Sequence, residues 1–171
     1  MQKNIMLIGF MGTGKSTVAS CLCNSYGMEL IEMDELIASR EEMSIPDIFA
    51  KHGEEYFRDL ETNLVIEIQS EENKVVSCGG GVVLRERNVQ EMKKAGVIVL
   101  LKATPETVLE RVKDDDNRPL LQGNKNVEFI REMMEKRREK YEATADVVVD
   151  TDGKEAIEIC REIIEKVQGE R

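Results

Sequence analysis

Apolar and polar positions along the 171-residue chain switch repeatedly between strand-like and helix-like periods. Ile5-Met6-Leu7-Ile8 is a short unbroken apolar run, as a strand buried on both faces would be. From Ser16 to Tyr26 the residues Val18, Ala19, Leu22 and Cys23 recur on one helical face. Glu29 to Asp34 reads as a short strand with carboxylates at its C-terminal end, and Asp34 to Arg40 as a helix burying Leu36 and Ile37. Ser44 is placed to cap a further helix, with Pro46 in its first turn and Gly53 interrupting it. Beyond it, Phe57, Leu60, Leu64, Val65 and Ile68 form a helical stripe running to about Glu71. Asn73-Lys74 turns the chain into a strand, Val75 to Cys78, that runs out into Gly79-Gly80-Gly81. A helix over 84–95 is closed by Gly96, and Val97 to Leu101, the most apolar strand, is expected to be central. Thr104-Pro105 opens a helix through Val112, and a polar segment over 113–126 leads to a helix from Asn126 to Tyr141. A strand over 146–149 and an amphipathic helix over 154–167 complete the pattern. Strands alternating with helices predict an α/β fold, a three-layer α/β/α sandwich on a mainly parallel five-stranded sheet, as a single domain over 1–171.

Charge narrows the partners. Lys and Arg number 24 against 34 Asp and Glu, a net charge of −10, which argues against nucleic acid or an anionic membrane as the main partner. Any basic site must be a local pocket. No apolar run is long enough to span a bilayer and no signal-peptide pattern is present, so a cytoplasmic protein, monomeric and acting on a small molecule, is expected. Cys21, Cys23, Cys78 and Cys160 sit in apolar patterns, His52 is the only histidine, and reduced core thiols are the expected state.

Between the first strand and first helix lies Gly9-Phe10-Met11-Gly12-Thr13-Gly14-Lys15-Ser16-Thr17, a match to G-x-x-x-x-G-K-[ST] at every fixed position. Strand, glycine loop and helix together are the context this phosphate-binding motif requires. Backbone N–H groups from Gly12 to Thr17 would wrap a nucleoside triphosphate, the helix N-terminus adding positive potential. Lys15 would reach the β- and γ-phosphates, and the Ser16 hydroxyl would ligate Mg²⁺ directly.

Ligands of open α/β sheets bind beyond the carboxyl ends of the strands. Glu32 and Asp34, the triple glycine, the loop around Arg118, and Asp150 all fall there. Asp34 could equally cap the helix that follows, and Arg58, lying among Glu54, Glu55 and Glu61, could be a solvated ion pair. Three bare glycines allow close approach to the main chain, and an arginine in a polar loop is what a closing lid requires.

The full constellation resembles the shikimate kinases. The matching pieces are Gly9-Phe10-Met11-Gly12 to Thr17, Asp34, Ser44-Ile45 to Phe49, and Gly53-Glu54 to Phe57-Arg58 with Glu61. Further on come Gly79-Gly80-Gly81, Arg118-Pro119-Leu120-Leu121, and Arg137 followed by Tyr141. The resemblance runs in order over nearly the whole chain. It implies a P-loop kinase fold with substrate-binding helices over about 32–62 and a mobile lid over about 113–126. It also implies ATP and Mg²⁺, with transfer of phosphate to the 3-hydroxyl of shikimate. By the same resemblance Asp34 contacts the substrate hydroxyls and is the general base, while Arg58 and Arg137 hold its carboxylate. Gly79, Gly80 and Gly81 give backbone contacts, Arg118 reaches over the phosphates, and Arg111 lies against the adenine. A guanidinium clamp suits a small anionic polyol, because a planar fork matches a carboxylate bidentately.

The sequence departs from the family pattern at Glu32, where many members have Asp; this group is expected to reach Mg²⁺ through water, giving a tuned site. No Walker-B aspartate precedes the triple glycine, where Ser77-Cys78 stands instead. On a wheel of about 100° per residue, Arg137 falls inside the apolar arc of Phe129, Ile130, Met133, Met134 and Tyr141, whereas Arg138 falls at its charged edge. Arg137 is therefore expected to face the site and Arg138 the solvent. Two other readings stay open at this point: a gluconate-type kinase of the same fold, and a nucleotide-dependent switch.

Overall fold

In the computed structural model, which describes residues 3–113 and 126–169, five strands form a sheet: β1 (Asn4–Ile8), β2 (Glu29–Glu32), β3 (Lys74–Ser77), β4 (Gly96–Lys102) and β5 (Val147–Asp150). Their order is β2-β3-β1-β4-β5, and each neighbouring pair is parallel. The middle place belongs to β1, all five of whose residues are buried, so the expectation of β4 at the centre is corrected. β4 is interior, between β1 and β5, and needs its apolar composition for that reason.

The helices are α1 (Lys15–Tyr26), α2 (Met33–Glu41), α3 (Ile45–His52), α4 (Glu54–Ile68), α5 (Glu86–Ala95), α6 (Pro105–Val112), α7 (Val127–Thr144) and α8 (Ala156–Gly169). Their starts follow the local chemistry. Ser44 accepts from the Asp47 N–H, Thr104 from Thr107 and Asn126 from Phe129, with Pro46 and Pro105 in first turns. α2 starts earlier than its sequence pattern suggests. Met33 and Ile37, four apart, are both buried, so the helical period takes over directly after Glu32.

Two apolar clusters fill the layers. One packs α1 and α8 against Ile5, Leu7, Val75, Val97, Val99 and Val149. The larger sets Met6, Ile8, Val76, Ile98 and Leu100 against Met33, Ile48, Phe57, Leu64, Val65, Met92, Val108, Ile130 and Tyr141. Alternate residues of β1 thus serve opposite layers, as the strand period requires. All four cysteines are free; Cys78 and Cys160 are buried, but Cys21 and Cys23 are only half-buried, at the margin of the first cluster. None of the helices among the described residues is long and apolar enough to cross a membrane.

Candidate active site

The glycine loop leaves β1 at the centre of the sheet and delivers the chain into α1. Gly9, Gly12 and Gly14 have φ of 148°, 78° and 94°, conformations that side-chain-bearing residues rarely adopt. A Cβ on Gly12 would also stand 2.9 Å from Val112 of α6. Gly14 occupies the N-cap of α1 and no side chain caps that end, so the first-turn N–H groups remain to be met by an anion. The Lys15 ammonium donates to the carbonyls of Gly9 at 2.7 Å and Phe10 at 3.2 Å, which hold it over the loop. Thr13 turns inward: it is 1% exposed, and both its hydroxyl and its N–H donate to the Phe10 carbonyl, bracing the loop from within. Ser16 and Thr17 are exposed in the first turn. Arg111, in the last turn of α6, donates to the Gly12 carbonyl at 2.9 Å, tying α6 to the loop.

A second group of side chains gathers around the triple glycine after β3. Asp34 is the correction to the expected strand end: it lies in the first turn of α2, while Glu32 ends β2 and stands at the N-cap position without a side-chain capping bond. From there Asp34 faces Gly79, at which a Cβ would meet its Oδ1 at 2.8 Å and Glu61 Oε2 at 3.3 Å. A Cβ on Gly80 would stand 3.4 Å from Arg137 Nη1, and one on Gly81 2.9 Å from Arg58 Cζ. The three glycines are therefore the wall on which a carboxylate and two guanidinium groups converge. Arg58 is held from several sides. Its Nη1 donates to Glu61 at 2.6 Å, its Nη2 to Glu54 at 3.4 Å, and its guanidinium stands 5.3 Å from the Phe57 ring centroid. The Arg58–Glu61 pair is buried, with side chains 12% and 0% exposed, unlike the solvated pair that the sequence also allowed.

Glu61 and Tyr141 are the residues whose parts the sequence reading left unassigned. Burial, partly offset by the Arg58 charge and added to by Asp34, pushes the Glu61 carboxyl up to about 7. The signal was present: Glu61 occupies a core position of the α4 stripe, four residues after Phe57 and three before Leu64. Tyr141, buried in α7, donates to the Gly80 carbonyl and also bonds Arg137. Arg137 and Arg138 separate as the wheel predicts. Arg137 is half-buried against Gly80 and Tyr141, whereas Arg138 is exposed and paired with Glu135 and Glu142.

Other expectations are placed differently. Glu32 lies in register with Ser77 across β2 and β3, at the strand ends facing the loop. Asp150 ends β5, also at the carboxyl end of the parallel sheet but on the opposite edge strand. Arg118 and the expected lid lie outside the described residues. Among those residues there is no cluster of three or more His, Cys, Asp or Glu able to hold a metal.

The family model "Shikimate kinase" matches residues 11–168. A shikimate kinase of Thermodesulfovibrio yellowstonii is 42% identical over 166 residues, covering 97% of this chain and 95% of that protein. The solved shikimate kinase from Acinetobacter baumannii, in complex with shikimate, superposes with a TM-score of 0.91 at 32% identity, over 100% of this chain and 96% of that one. A gluconokinase from Sinorhizobium meliloti shares the fold alone, with a TM-score of 0.59 at 19% identity over 98% of this chain and 92% of that one. With the glycine loop from Met11 onward, both arginines and the triple glycine inside the matched region, the chain belongs to the shikimate kinase family.

Proposed function

We propose that this enzyme transfers the γ-phosphoryl group of ATP to the 3-hydroxyl of shikimate. The observation that carries the reading is the wall of Gly79, Gly80 and Gly81, faced in turn by Asp34, Arg137 and Arg58. Two guanidinium groups over adjacent glycines suit a planar carboxylate, and a carboxylate one glycine away suits the hydroxyl that must lose its proton. The A. baumannii relative is described with shikimate bound, which supports the same occupant here. The switch reading explains neither arginine, and gluconokinase likeness extends only to the fold.

The residues divide the work as phosphoryl transfer demands, by positioning and by neutralising charge. Lys15 and the first-turn N–H groups of α1 hold the phosphates, and Arg111 stands at the loop beside them. Asp34 accepts the proton of the attacking hydroxyl as general base. Arg58 and Arg137 fix the substrate by its carboxylate, with Gly79, Gly80 and Gly81 leaving room for its ring. Arg118 is assigned to the phosphates on the family pattern alone. The donor set fits Mg²⁺: the exposed Ser16 hydroxyl offers one hard oxygen and Glu32 a second through water, the remainder coming from phosphate and solvent. When bound, the ion supplies charge neutralisation on the phosphate oxygens.

Coupled measurement of ADP release with and without shikimate tests the reading. Shikimate-dependent release is expected, and Lys15→Met should abolish it while leaving the circular dichroism spectrum unchanged. ADP release indifferent to shikimate would reject it.

A further inference from the structure

Glu61 does more than its bond to Arg58 requires. Its side chain is 0% exposed, and only Oε1 is engaged, by Arg58 Nη1 at 2.6 Å. Oε2 is buried without a hydrogen-bond partner among the described residues, and so is Arg58 Nε. An ionised carboxylate with one bare oxygen in such a place is costly. Glu61 also sits close to Asp34, the two carboxylates both reaching the space beside the Gly79 α-carbon.

Within α4, Arg58 is the cation that Glu61 faces, itself shared with Glu54. From α2 comes Asp34; from the segment before α5 comes Arg85, whose own bonds go to Glu55, Asp59 and Thr62. From the end of β3 comes Cys78, whose thiol burial keeps protonated, and beyond Gly80 stand Arg137 and Tyr141 of α7. A substrate carboxylate seated on Arg58 would compete with Glu61 for the cation that now offsets its buried charge. A proton on the bare Oε2 relieves that competition.

We propose that capture of the substrate carboxylate by Arg58 is coupled to uptake of one proton from solvent by Glu61, on Oε2. In the neutral acid the carbonyl oxygen still accepts from Arg58, so the clamp keeps its shape while the charge that offset Glu61 passes to the substrate. Glu61 is thus a positioning residue whose protonation state sets the affinity of the clamp. Burial already holds its carboxyl at about 7, so the coupling falls in the range where the enzyme can be assayed. A group whose proton affinity rises on binding makes binding tighter at low pH and weaker as pH climbs.

The inference rests on shikimate being the substrate, and the test separates the two. KM for shikimate, at saturating ATP and Mg²⁺, is measured from pH 6.0 to 8.5 for the wild type and Glu61→Gln. The wild-type KM is expected to rise about fivefold to tenfold across that range, and the variant's to stay level near the wild-type acid value. Calorimetry of shikimate binding to the wild type at pH 7.5, in phosphate and in Tris, should show net uptake of about half a proton or more. No turnover and no binding heat with shikimate would reject the substrate. Turnover with a level wild-type KM and no proton uptake would reject the coupling alone. A KM raised equally at every pH in Glu61→Gln would make Glu61 a fixed anchor and would also overturn it.

Discussion

The Tyr141 hydroxyl donates to the Gly80 carbonyl, joining α7 to the triple glycine across 61 positions of sequence. It also bonds Arg137, so one phenol aligns the middle of the glycine wall and one arm of the proposed carboxylate clamp. Tyr141→Phe keeps the buried ring and deletes both bonds. We expect a stability loss of about 1 kcal/mol, seen as a fall of about 2–4 °C in Tm by scanning calorimetry. KM for shikimate should rise severalfold with kcat within about twofold, since the change acts on positioning. An unchanged KM would detach this bond from the substrate site.

Arg137 and Arg138 are adjacent in sequence and opposite in surroundings. In the proposed site Arg137→Ala would remove a charge-assisted contact to the substrate and should raise its KM about tenfold to a hundredfold. Arg138 is 53% exposed, with Glu135 at 3.0 Å and Glu142 at 3.3 Å, so Arg138→Ala should leave KM within about twofold. Steady-state kinetics of the two variants checks both, and the reverse order would place the clamp on the wrong face of α7.

Gly81 has φ of −98°, which any residue tolerates, so its substitution tests space and not backbone strain. A methyl group there would stand 2.9 Å from Arg58 Cζ and Nη1 and must push the guanidinium aside. Gly81→Ala should therefore raise KM for shikimate about tenfold with little change in Tm. A wild-type KM would mean that Arg58 has another seat equally good for the substrate.

Glu61 leaves a mark on stability as well. In the unfolded chain its carboxyl titrates near the ordinary 4.5, and in the folded chain near 7. Below 4.5 it carries its proton in both states, and the stabilisation from this group is fully present. As pH rises through 7 the unfolded chain has already released the proton that the folded chain keeps, and that stabilisation is lost, by about 3 kcal/mol at most. Urea unfolding midpoints of wild type, compared with Glu61→Gln, should accordingly fall between pH 5 and pH 8. Parallel curves for the two proteins would show that the buried carboxyl titrates normally.

The sheet and its helices were legible because strand and helix periods differ so sharply here: unbroken runs at Ile5–Ile8 and Val97–Leu101, and stripes such as Phe57 to Ile68. Boundaries were less so. Asp34 falls at the join of two patterns, the end of a strand over 29–34 and the start of a helix over 34–40, and only the burial of Met33 with Ile37 shows the helix starting first. Arg137 could be placed from sequence, since an arginine in an apolar arc must find an anion. The same logic applied to Glu61 and was obscured by its neighbours: among Glu54, Glu55 and Arg58 it looks like one more surface charge. Tyr141 as a donor to Gly80 could not be read at all, because aromatic residues in an apolar stripe announce packing and not the direction of a hydroxyl.

With β1 in the middle of an all-parallel sheet, its neighbours are Lys74–Ser77 on one side and Gly96–Lys102 on the other. During synthesis the run Ile5-Met6-Leu7-Ile8 is therefore made well before anything that can pair with it. No hairpin can shelter it in the interval, and closing such long loops is slow. The nascent chain carries an unpaired apolar edge until β4 has left the ribosome, the kind of exposure that chaperones bind and aggregates grow from. The same wait applies to the glycine loop, which acquires its anion-binding shape only after Leu101 and α6 arrive to pack against Gly9 and Gly12. Nucleotide would thus find no seat on the unfinished chain, and its earliest capture would report that the sheet is complete.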